Sequence, residues 1–392
     1  MNMAQRPDHV PAGLVVPFDM YAQAEISRGF HGAWMSLLSP VIPSVVWTPC
    51  NEGHWIVTRP EIFPEVYENT DLFSSNTIII PKSHGDAHDL IPTTMDPPEH
   101  QPYRLILNKL LAPAMISRIS ASVRDATHLL LDTIEPQGQC DFTTAFAQQL
   151  PLHVFLSLMD LPVEDLDKIK YWSDQTTHPD GSMSFADALA HLYDYLEPYI
   201  IQRRENPGED FISKLVNAEV DGRRVDDSEA RRLTIQLLIA GVDTVVNFLN
   251  FLFLKLARDA ELQRECVDLV DIDRLIEDLL ADLPLVTVGR LVKADCEFHG
   301  APLKAGDMIA LPTPLAAGYR QEITKPNSNS HLTFGQGVHM CPGRHLARME
   351  IGVVIEAWFS RIPAFTLAPD TVVSFTGGIV GTIPKLELCW GQ

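Results

Sequence analysis

A cysteine near the carboxyl end of the chain lies in a segment whose residue types could activate a thiolate. The segment reads Phe334-Gly335-Gln336-Gly337-Val338-His339-Met340-Cys341-Pro342-Gly343 and precedes an amphipathic run that predicts a helix from Arg344 to Arg361. Glycines let the backbone turn tightly against a flat ligand, and the N–H groups and positive dipole at a helix start stabilise a thiolate. Proline suits the first helical turn, where its missing donor is not needed. Such a thiolate can bind haem iron and favour cleavage of the O–O bond of dioxygen.

A second candidate for chemistry lies in an apolar run from Ile235 to Ala257. Residues of this run that would share one face of a helix are Gln236, Ala240, Asp243, Asn247 and Asn250. Ala240 and Gly241 keep that face thin, and the Thr244 hydroxyl can bond to a carbonyl one turn earlier and loosen the helix locally. A groove for dioxygen would result. The plainer alternative is an Asp-Thr pair that only bends the helix.

Together the two segments resemble the cytochrome P450 family. The family's haem loop runs Phe-x-x-Gly-x-x-x-Cys-x-Gly, which Phe334, Gly337, Cys341 and Gly343 match; its oxygen-activation motif, Ala/Gly-Gly-x-Asp/Glu-Thr, matches residues 240–244. The resemblance implies that Cys341 is the axial ligand of a haem b iron. It also implies that Thr244 hydrogen-bonds dioxygen and that Asp243 relays protons. The alternative, a structural cysteine before a helix, would make these matches coincidental.

The likeness extends over nearly the whole chain and is strongest to the bacterial camphor hydroxylases of that family, as in residues 95–99, 179–183 and 243–249. Alignment puts Arg104, Arg290 and His339 at the haem propionates, where a guanidinium fork suits a carboxylate. The positions aligned with the substrate pocket are Ile79, His88, Ile239, Val286, Ile379 and Val380. His88 replaces a tyrosine that holds a ketone, so we expect a larger monoterpenoid or norisoprenoid ketone rather than camphor. His88 as an ordinary loop residue is the alternative.

The chain departs from the family at the ionic lock, the Glu-x-x-Arg pair under the haem loop. The aligned residues are Asp278-Leu279-Leu280-Ala281, so the arginine is absent, and residues 312–335 lack the aromatic-Asp-x-x-Arg stretch. The usual arginine partner of the relay aspartate is His178 here. We expect haem retention without the lock, with any deficit confined to haem loading. The alternative is a haem-binding protein of the same fold with impaired or non-oxygenase function, but the intact Asp243-Thr244 pair argues against it.

The elements that must position these residues are expected to be mostly helical. Between Pro97 and Ala257 the pattern is helical with breaks at prolines. Short strands are predicted at His54–Thr58, Cys296–His299, Met308–Leu311 and Val372–Phe375. We therefore predict a mainly α fold with smaller β regions, as the resemblance to the cytochrome P450 fold also implies. Because no linker or repeat marks a boundary, we expect one domain over residues 1–392.

The amino-acid composition of the chain limits the classes of partner that it can bind. A net charge of -21 over 392 residues argues against general affinity for nucleic acid or anionic lipid. The six cysteines are scattered without a CxxC pair, as in a protein of the reducing cytoplasm. The polar residues of the run 235–257 favour a core helix over a membrane span. From the resemblance, the expected partners are dioxygen, a small hydrophobic substrate, and a 2Fe–2S ferredoxin with an NADH-dependent ferredoxin reductase.

Overall fold

A computed structural model describes residues 3–21, 26–85, 90–177, 182–268, 271–321 and 330–391. The helices in these ranges are α1 (Phe30–Met35), α2 (Phe63–Glu68), α3 (Lys82–Gly85), α4 (His100–Leu110), α5 (Pro113–Ile134), α6 (Leu150–Met159), α7 (Leu166–Thr177), α8 (Phe185–Glu205), α9 (Phe211–Val216), α10 (Asp227–Arg258), α11 (Ala260–Asp268), α12 (Ile272–Asp282) and α13 (Arg344–Phe359). The longest of them, α10, has 32 residues.

The strands are short and form small sheets. They are β1 (Val45–Thr48), β2 (His54–Val57), β3 (Phe73–Ser74), β4 (Gln139–Asp141), β5 (Glu219–Val220), β6 (Arg223–Arg224), β7 (Thr287–Val292), β8 (Cys296–Phe298), β9 (Ala301–Leu303), β10 (Met308–Pro312), β11 (Phe365–Leu367) and β12 (Glu387–Trp390). The largest sheet has the order β1-β2-β10-β7-β3, with β10 and β2 parallel and the other neighbours antiparallel. A second sheet has the order β11-β12-β4, so the strand latest in the sequence lies in its middle.

The long helix α10 starts at a capping box and runs through the core. The Asp226 carboxylate accepts the Glu229 N–H at 2.8 Å, and the Glu229 carboxylate accepts the Asp226 N–H at 2.8 Å, which satisfies donors that a helix start leaves open. In the buried second half, the Asn250 side chain accepts the Thr143 hydroxyl at 2.9 Å. The helix is long and apolar enough to cross a membrane, but 61% of its most apolar window is buried inside the protein. It is a core helix, as its polar residues predict.

Helix α13 joins the cysteine segment to the aromatic core. It begins directly after Gly343. Near its other end, Trp358 is fully buried, with ring centroids 4.7 Å from Phe253, 5.5 Å from Phe142 and 5.8 Å from Trp390. Aromatic contacts of this kind bury large apolar areas with defined geometry. They fix α13, and with it the loop that leads into it.

The predominance of helix over strand confirms the fold class that the sequence predicts. Three predicted strands are present, with His54–Thr58 as β2, Cys296–His299 as β8 and Met308–Leu311 as β10. The strand predicted at Val372–Phe375 is wrong. Val372 is 88% exposed, and pairing near this segment is limited to an isolated bridge between Thr376 and Thr382. β-Branched residues favour a strand only where a neighbour offers pairing and burial.

Candidate active site

The cysteine segment folds back on itself before α13. The Cys341 N–H donates to the Phe334 carbonyl at 2.8 Å. Between them, Gly335 and Gly337 have φ values of 65° and 74°, a region that glycine adopts at little cost. A Cβ on Gly337 would also lie 2.7 Å from the Tyr67 carbonyl of α2. The loop therefore needs glycine at this position, and it holds Cys341 just before α13.

The Cys341 thiol has cationic groups around it. Burial raises its pKa, while the Gly343 N–H and the guanidinium groups of Arg104, Arg344 and Arg348 lower it. Arg344 also donates to the Cys341 carbonyl at 3.2 Å. These donors would stabilise a thiolate once a metal takes the place of the proton.

A cavity of about 280 Å³ brings the two candidate motifs together. Its lining includes Cys341 and Gly343 from the loop, and Ala240, Gly241 and Thr244 from α10. Apolar residues on its wall are Ile78, Val245, Phe248, Leu285, Val286 and Val288. The Thr244 hydroxyl donates to the Ala240 carbonyl at 2.7 Å, as the spacing predicts. Segments about a hundred residues apart in the sequence thus share one apolar cavity.

Asp243 faces a second, smaller cavity of about 60 Å³. The Asn247 amide donates to the Asp243 Oδ1 at 3.2 Å and to its carbonyl at 2.9 Å. The same cavity reaches Lys170 and Asp174 of α7, which form a partly exposed ion pair. Asp243 therefore lies between this polar cavity and its neighbour Thr244. The expected partner His178 is outside the described residues.

Several buried polar groups beside the main cavity have no hydrogen-bond partner in the described chain. The Tyr67 hydroxyl, the His100 Nε2 and the His339 Nε2 have no hydrogen-bond partner in the described chain. Arg290 is 4% exposed, and its guanidinium donates to the Gly289 carbonyl at 2.8 Å. Each unsatisfied buried donor costs about 1–3 kcal/mol. This donor cluster therefore indicates a bound acceptor.

The charges of the donor cluster favour an anion as that acceptor. Burial, followed by the charge of Arg104, lowers the pKa of His100 to about 4. Burial, followed by the charge of Arg290, lowers the pKa of His339 to about 3. Both imidazoles are thus neutral near neutral pH, and the positive charge resides on the two arginines. A bound carboxylate would meet charge-assisted hydrogen bonds here.

The residues present fit haem b. The cavity offers a thiol, apolar walls and a donor cluster suited to two carboxylates, which are the features that a thiolate-bound haem requires. Cys341 would hold the iron, with the Cys341 N–H bond to Phe334 and the Gly343 N–H orienting the sulfur. Arg104, Arg290 and His339 would hold the propionates.

Two members of the donor cluster, Tyr67 and His100, were missed by the sequence analysis. His100 lies four residues before Arg104 on α4, so helical spacing could have found it. Tyr67 comes from α2, with its ring centroid 5.6 Å from the Arg290 guanidinium carbon. Nothing in the sequence marks that contact.

Three predicted substrate residues lie at one edge of the cavity. Val286 lines it. Val380 pairs with Val286 through an isolated bridge, and the Ile379 carbonyl accepts the Thr287 N–H at 2.7 Å. Of the three, Val286 is among the lining residues of the described chain, and Ile379 and Val380 pair with the backbone of Val286 and Thr287.

Two other predicted substrate residues, Ile79 and Ile239, are not among the lining residues of the described chain. Ile79 and Ile239 adjoin the lining residues Ile78 and Ala240 in sequence. His88 is outside the described residues. Thr93, which the sequence analysis missed, lines the cavity and carries a hydroxyl. A hydroxyl can donate a hydrogen bond to a ligand.

The two residues that align with the family's ionic lock, Asp278 and Ala281, make other contacts in this chain. Ala281 is fully buried and its carbonyl accepts a backbone N–H at 2.9 Å. The side chain of Asp278 is 53% exposed and pairs with Arg320 at 3.0 Å, so its charge is not stranded in the core. The preceding residue, Glu277, forms two hydrogen bonds with Arg348 of α13, with 2.9 Å between Oε2 and Nη2. The sequence analysis missed this ion pair.

Comparison with known proteins agrees with the geometry. The sequence model of the cytochrome P450 family matches residues 180–286 and 318–373. The chain is 30% identical to a probable cytochrome P450 127A1 of Sinorhizobium fredii, covering 98% of this chain and 96% of that one. It is 25% identical to cytochrome P450-terp of a Pseudomonas species, over 95% and 96% of the two chains. Two solved structures superpose closely: CYP101J2, with a TM-score of 0.92, 40% identity and full coverage of both chains, and CYP101C1, with 0.91, 34% and coverage of 99% and 100%.

Proposed function

Because this chain belongs to the cytochrome P450 family of haem b-binding monooxygenases, we propose that it hydroxylates a small terpenoid-type substrate, a monoterpenoid or norisoprenoid ketone. The observation that carries the proposal is the apolar cavity of about 280 Å³ that joins Cys341 to Thr244 and holds the Thr93 hydroxyl at its wall. Apolar walls with a hydroxyl at Thr93 suit a hydrocarbon skeleton that carries one carbonyl. Similarity to a relative named cytochrome P450-terp agrees with this substrate class.

Within this proposal, the loop and the donor cluster hold the cofactor. Cys341 would hold the haem iron, with Phe334 and Gly343 orienting its backbone and sulfur. Arg104, Arg290 and His339 would hold the propionates. Haem bound through a thiolate supplies the electron density that favours O–O cleavage of dioxygen.

Thr244 and Asp243 are the two residues that would transfer protons to the main cavity, one after the other. The Thr244 Oγ1 donates to the Ala240 carbonyl at 2.7 Å, and a turn of that hydroxyl presents its proton to the main cavity. Asp243 borders the smaller polar cavity, and we propose that it takes up protons there for the relay to Thr244. A positioned acid of this kind contributes about 10²–10⁴ in rate.

We infer that a 2Fe–2S ferredoxin, kept reduced by an NADH-dependent reductase in the cytoplasm, delivers the electrons. A surface cleft on the cysteine side is lined by Arg104, Leu105, Asn108, Val338 and Arg344, among others. Leu105 and Val338 are 56% and 44% exposed. Cations around exposed apolar side chains suit docking of an acidic partner protein.

The substrate class is tested with a terpenoid ketone and the hydrocarbon of the same skeleton. Thr93→Val removes the hydroxyl at nearly constant size, so the ketone should bind about tenfold more weakly while the hydrocarbon is unaffected. Affinity is read from the spectral shift of the bound haem, and product is measured with NADH consumption. Thr313→Val is the matched control, because the Thr313 hydroxyl already donates to the Val286 carbonyl at 2.7 Å. Equal effects on ketone and hydrocarbon would contradict the carbonyl contact, and absence of product from every terpenoid tried would contradict the substrate class.

A further inference from the structure

Three titratable side chains meet between α12 and the cysteine loop. Glu277 of α12 is bound at both oxygens by Arg348 of α13. The His331 side chain is 0% exposed, and its Nε2 lies 3.4 Å from the Glu277 Oε2. The His331 Nδ1 accepts the Thr333 N–H at 3.3 Å, so the ring proton resides on Nε2, which lies close to the carboxylate without forming a hydrogen bond. We refer to Glu277, Arg348 and His331 as the clamp.

The clamp touches the cysteine loop through one aromatic ring. The Arg348 guanidinium carbon lies 4.7 Å from the ring centroid of Phe334, a cation–π distance. The His331 ring centroid lies 5.7 Å from the same ring. Because the Phe334 carbonyl accepts the Cys341 N–H at 2.8 Å, a displacement of Phe334 would be passed directly to Cys341.

The electrostatics of the clamp are those of a permanent ion pair. Burial by itself would raise the pKa of Glu277, but its interactions with Arg348 and His331 outweigh burial and hold the pKa at about 2. The carboxylate therefore stays ionised throughout the neutral range. A planar guanidinium bound at both oxygens also fixes the orientation of Arg348, which a single bond would not.

We propose that Glu277, Arg348 and His331 form a relocated lock, which holds Phe334 and thereby positions Cys341 for ligation in a chain that lacks the family's Glu-x-x-Arg pair. This inference rests on the proposed role of Cys341 as the axial ligand. The arginine of this lock, Arg348, lies on α13, one turn after Arg344. In the family's pair, the arginine would lie on α12 together with the glutamate. The lock thus ties α12 to the helix that follows the ligand. Its members are positioning residues.

The test measures haem retention by the purified, haem-loaded protein. Glu277→Gln keeps the shape of the side chain and removes its charge; Asp278→Asn makes the same change in the adjacent, solvent-facing ion pair and is the matched control. We expect Glu277→Gln to transfer haem to excess apomyoglobin about tenfold faster. Its reduced, carbon monoxide-bound form should shift from the thiolate-type band to the thiol-type band. Asp278→Asn should match the unaltered protein in both measurements.

A double-mutant cycle with Arg348→Gln separates the clamp from general destabilisation. The double variant should lose haem no faster than either single variant, because both remove the same pair. Additive losses, or a Glu277→Gln variant indistinguishable from Asp278→Asn, would overturn the proposal. If Glu277→Gln yields no folded protein, His331→Gln replaces it, with about threefold faster transfer expected from loss of the electrostatic contact between the ring and Glu277 and an unchanged rate overturning the proposal. Failure of the ligand assignment is distinct: Cys341→Ser would then keep the thiolate-type band.

Discussion

Among single residues, Thr244 is the α10 side chain whose hydroxyl can serve either the helix or the main cavity. We expect Thr244→Ala to keep consuming NADH while releasing more hydrogen peroxide, with product per NADH falling about tenfold or more, because the positioned proton donor is lost. Thr244→Ser retains a hydroxyl at the same place and should keep most of the coupling. NADH, peroxide and product are measured in one reaction. Full coupling in Thr244→Ala would contradict the assigned role.

Glu350 is a carboxyl in the protein interior, 1% exposed, whose Oε2 has no hydrogen-bond partner in the described structure. Burial raises its pKa from 4.5 to about 8. Between these two values the folded state holds a proton that the unfolded state releases, so the free energy of unfolding falls as pH rises, by up to about 1.4 kcal/mol per pH unit. Glu350→Gln should flatten this slope and stabilise the protein near pH 8, with little effect below pH 4.5. The measurement is urea unfolding at a series of pH values.

The control for Glu350 lies on the same helix. Glu356 is partly exposed and pairs with Arg124 at 3.0 Å. Glu356→Gln should leave the slope above pH 4.5 as it is in the unaltered protein. Identical pH profiles for the two variants would show that burial of Glu350 is not the cause.

The site residues that the sequence could predict are those whose signal is contiguous. Cys341 is marked by a glycine-rich loop before a helix, and Asp243 and Thr244 by their place in an apolar helical run. Tyr67 and Thr93 lack such a signal, since each reaches the cavity only because separate segments pack against it. Their contribution is a property of the tertiary structure and not of local spacing.

Among the elements, α12 has the packed face where the family's lock would lie. Ala281 is fully buried there, so Ala281→Arg would place a cation in a filled interior. We expect it to lower the thermal midpoint and leave haem retention unimproved, since unpaired buried charges cost about 3–5 kcal/mol. Ala281→Leu, which adds bulk without charge, separates overpacking from charge burial and should cost about 1–3 kcal/mol. Tighter haem binding in Ala281→Arg would mean that the clamp does not replace the lock.

Helices and strands differed in how far the sequence could predict them. The core position of α10 follows from its apolar period together with its polar residues, and prolines mark the start of α5 at Pro113. Strands were predictable where a short apolar run coincided with a partner strand, as in β10. At Val372–Phe375 the composition suggested a strand, but no neighbouring strand pairs with it in the described chain. Strand formation depends on distant residues, which composition does not reveal.

Over the whole molecule, a net charge of -21 contrasts with the local cations of the cysteine side. Lys109 is exposed and follows Asn108, which lines the surface cleft. Lys109→Glu should raise the KM for an acidic ferredoxin about tenfold at low salt, and the difference should shrink as salt screens the charges. Arg258→Glu makes the same change in charge sign at the carboxyl end of α10 and should have little effect. Equal effects of the two variants would indicate a response to net charge and not a docking site.

The central position of β12 has a consequence for synthesis on the ribosome. The Leu386 N–H bonds to the Asp141 carboxylate across 245 residues of sequence, and the Trp390 indole donates to the Glu135 carbonyl at 3.0 Å. Strands β4 and β11 are translated earlier. The backbone groups with which each of them pairs to β12 stay unpaired until this late strand has been made. A nascent chain that stops before β12 therefore presents two open strand edges and a Trp358 ring that lacks its contact with Trp390, which are features that attract chaperones and proteases. Translation must pass residue 390 before the protein is protected from quality control.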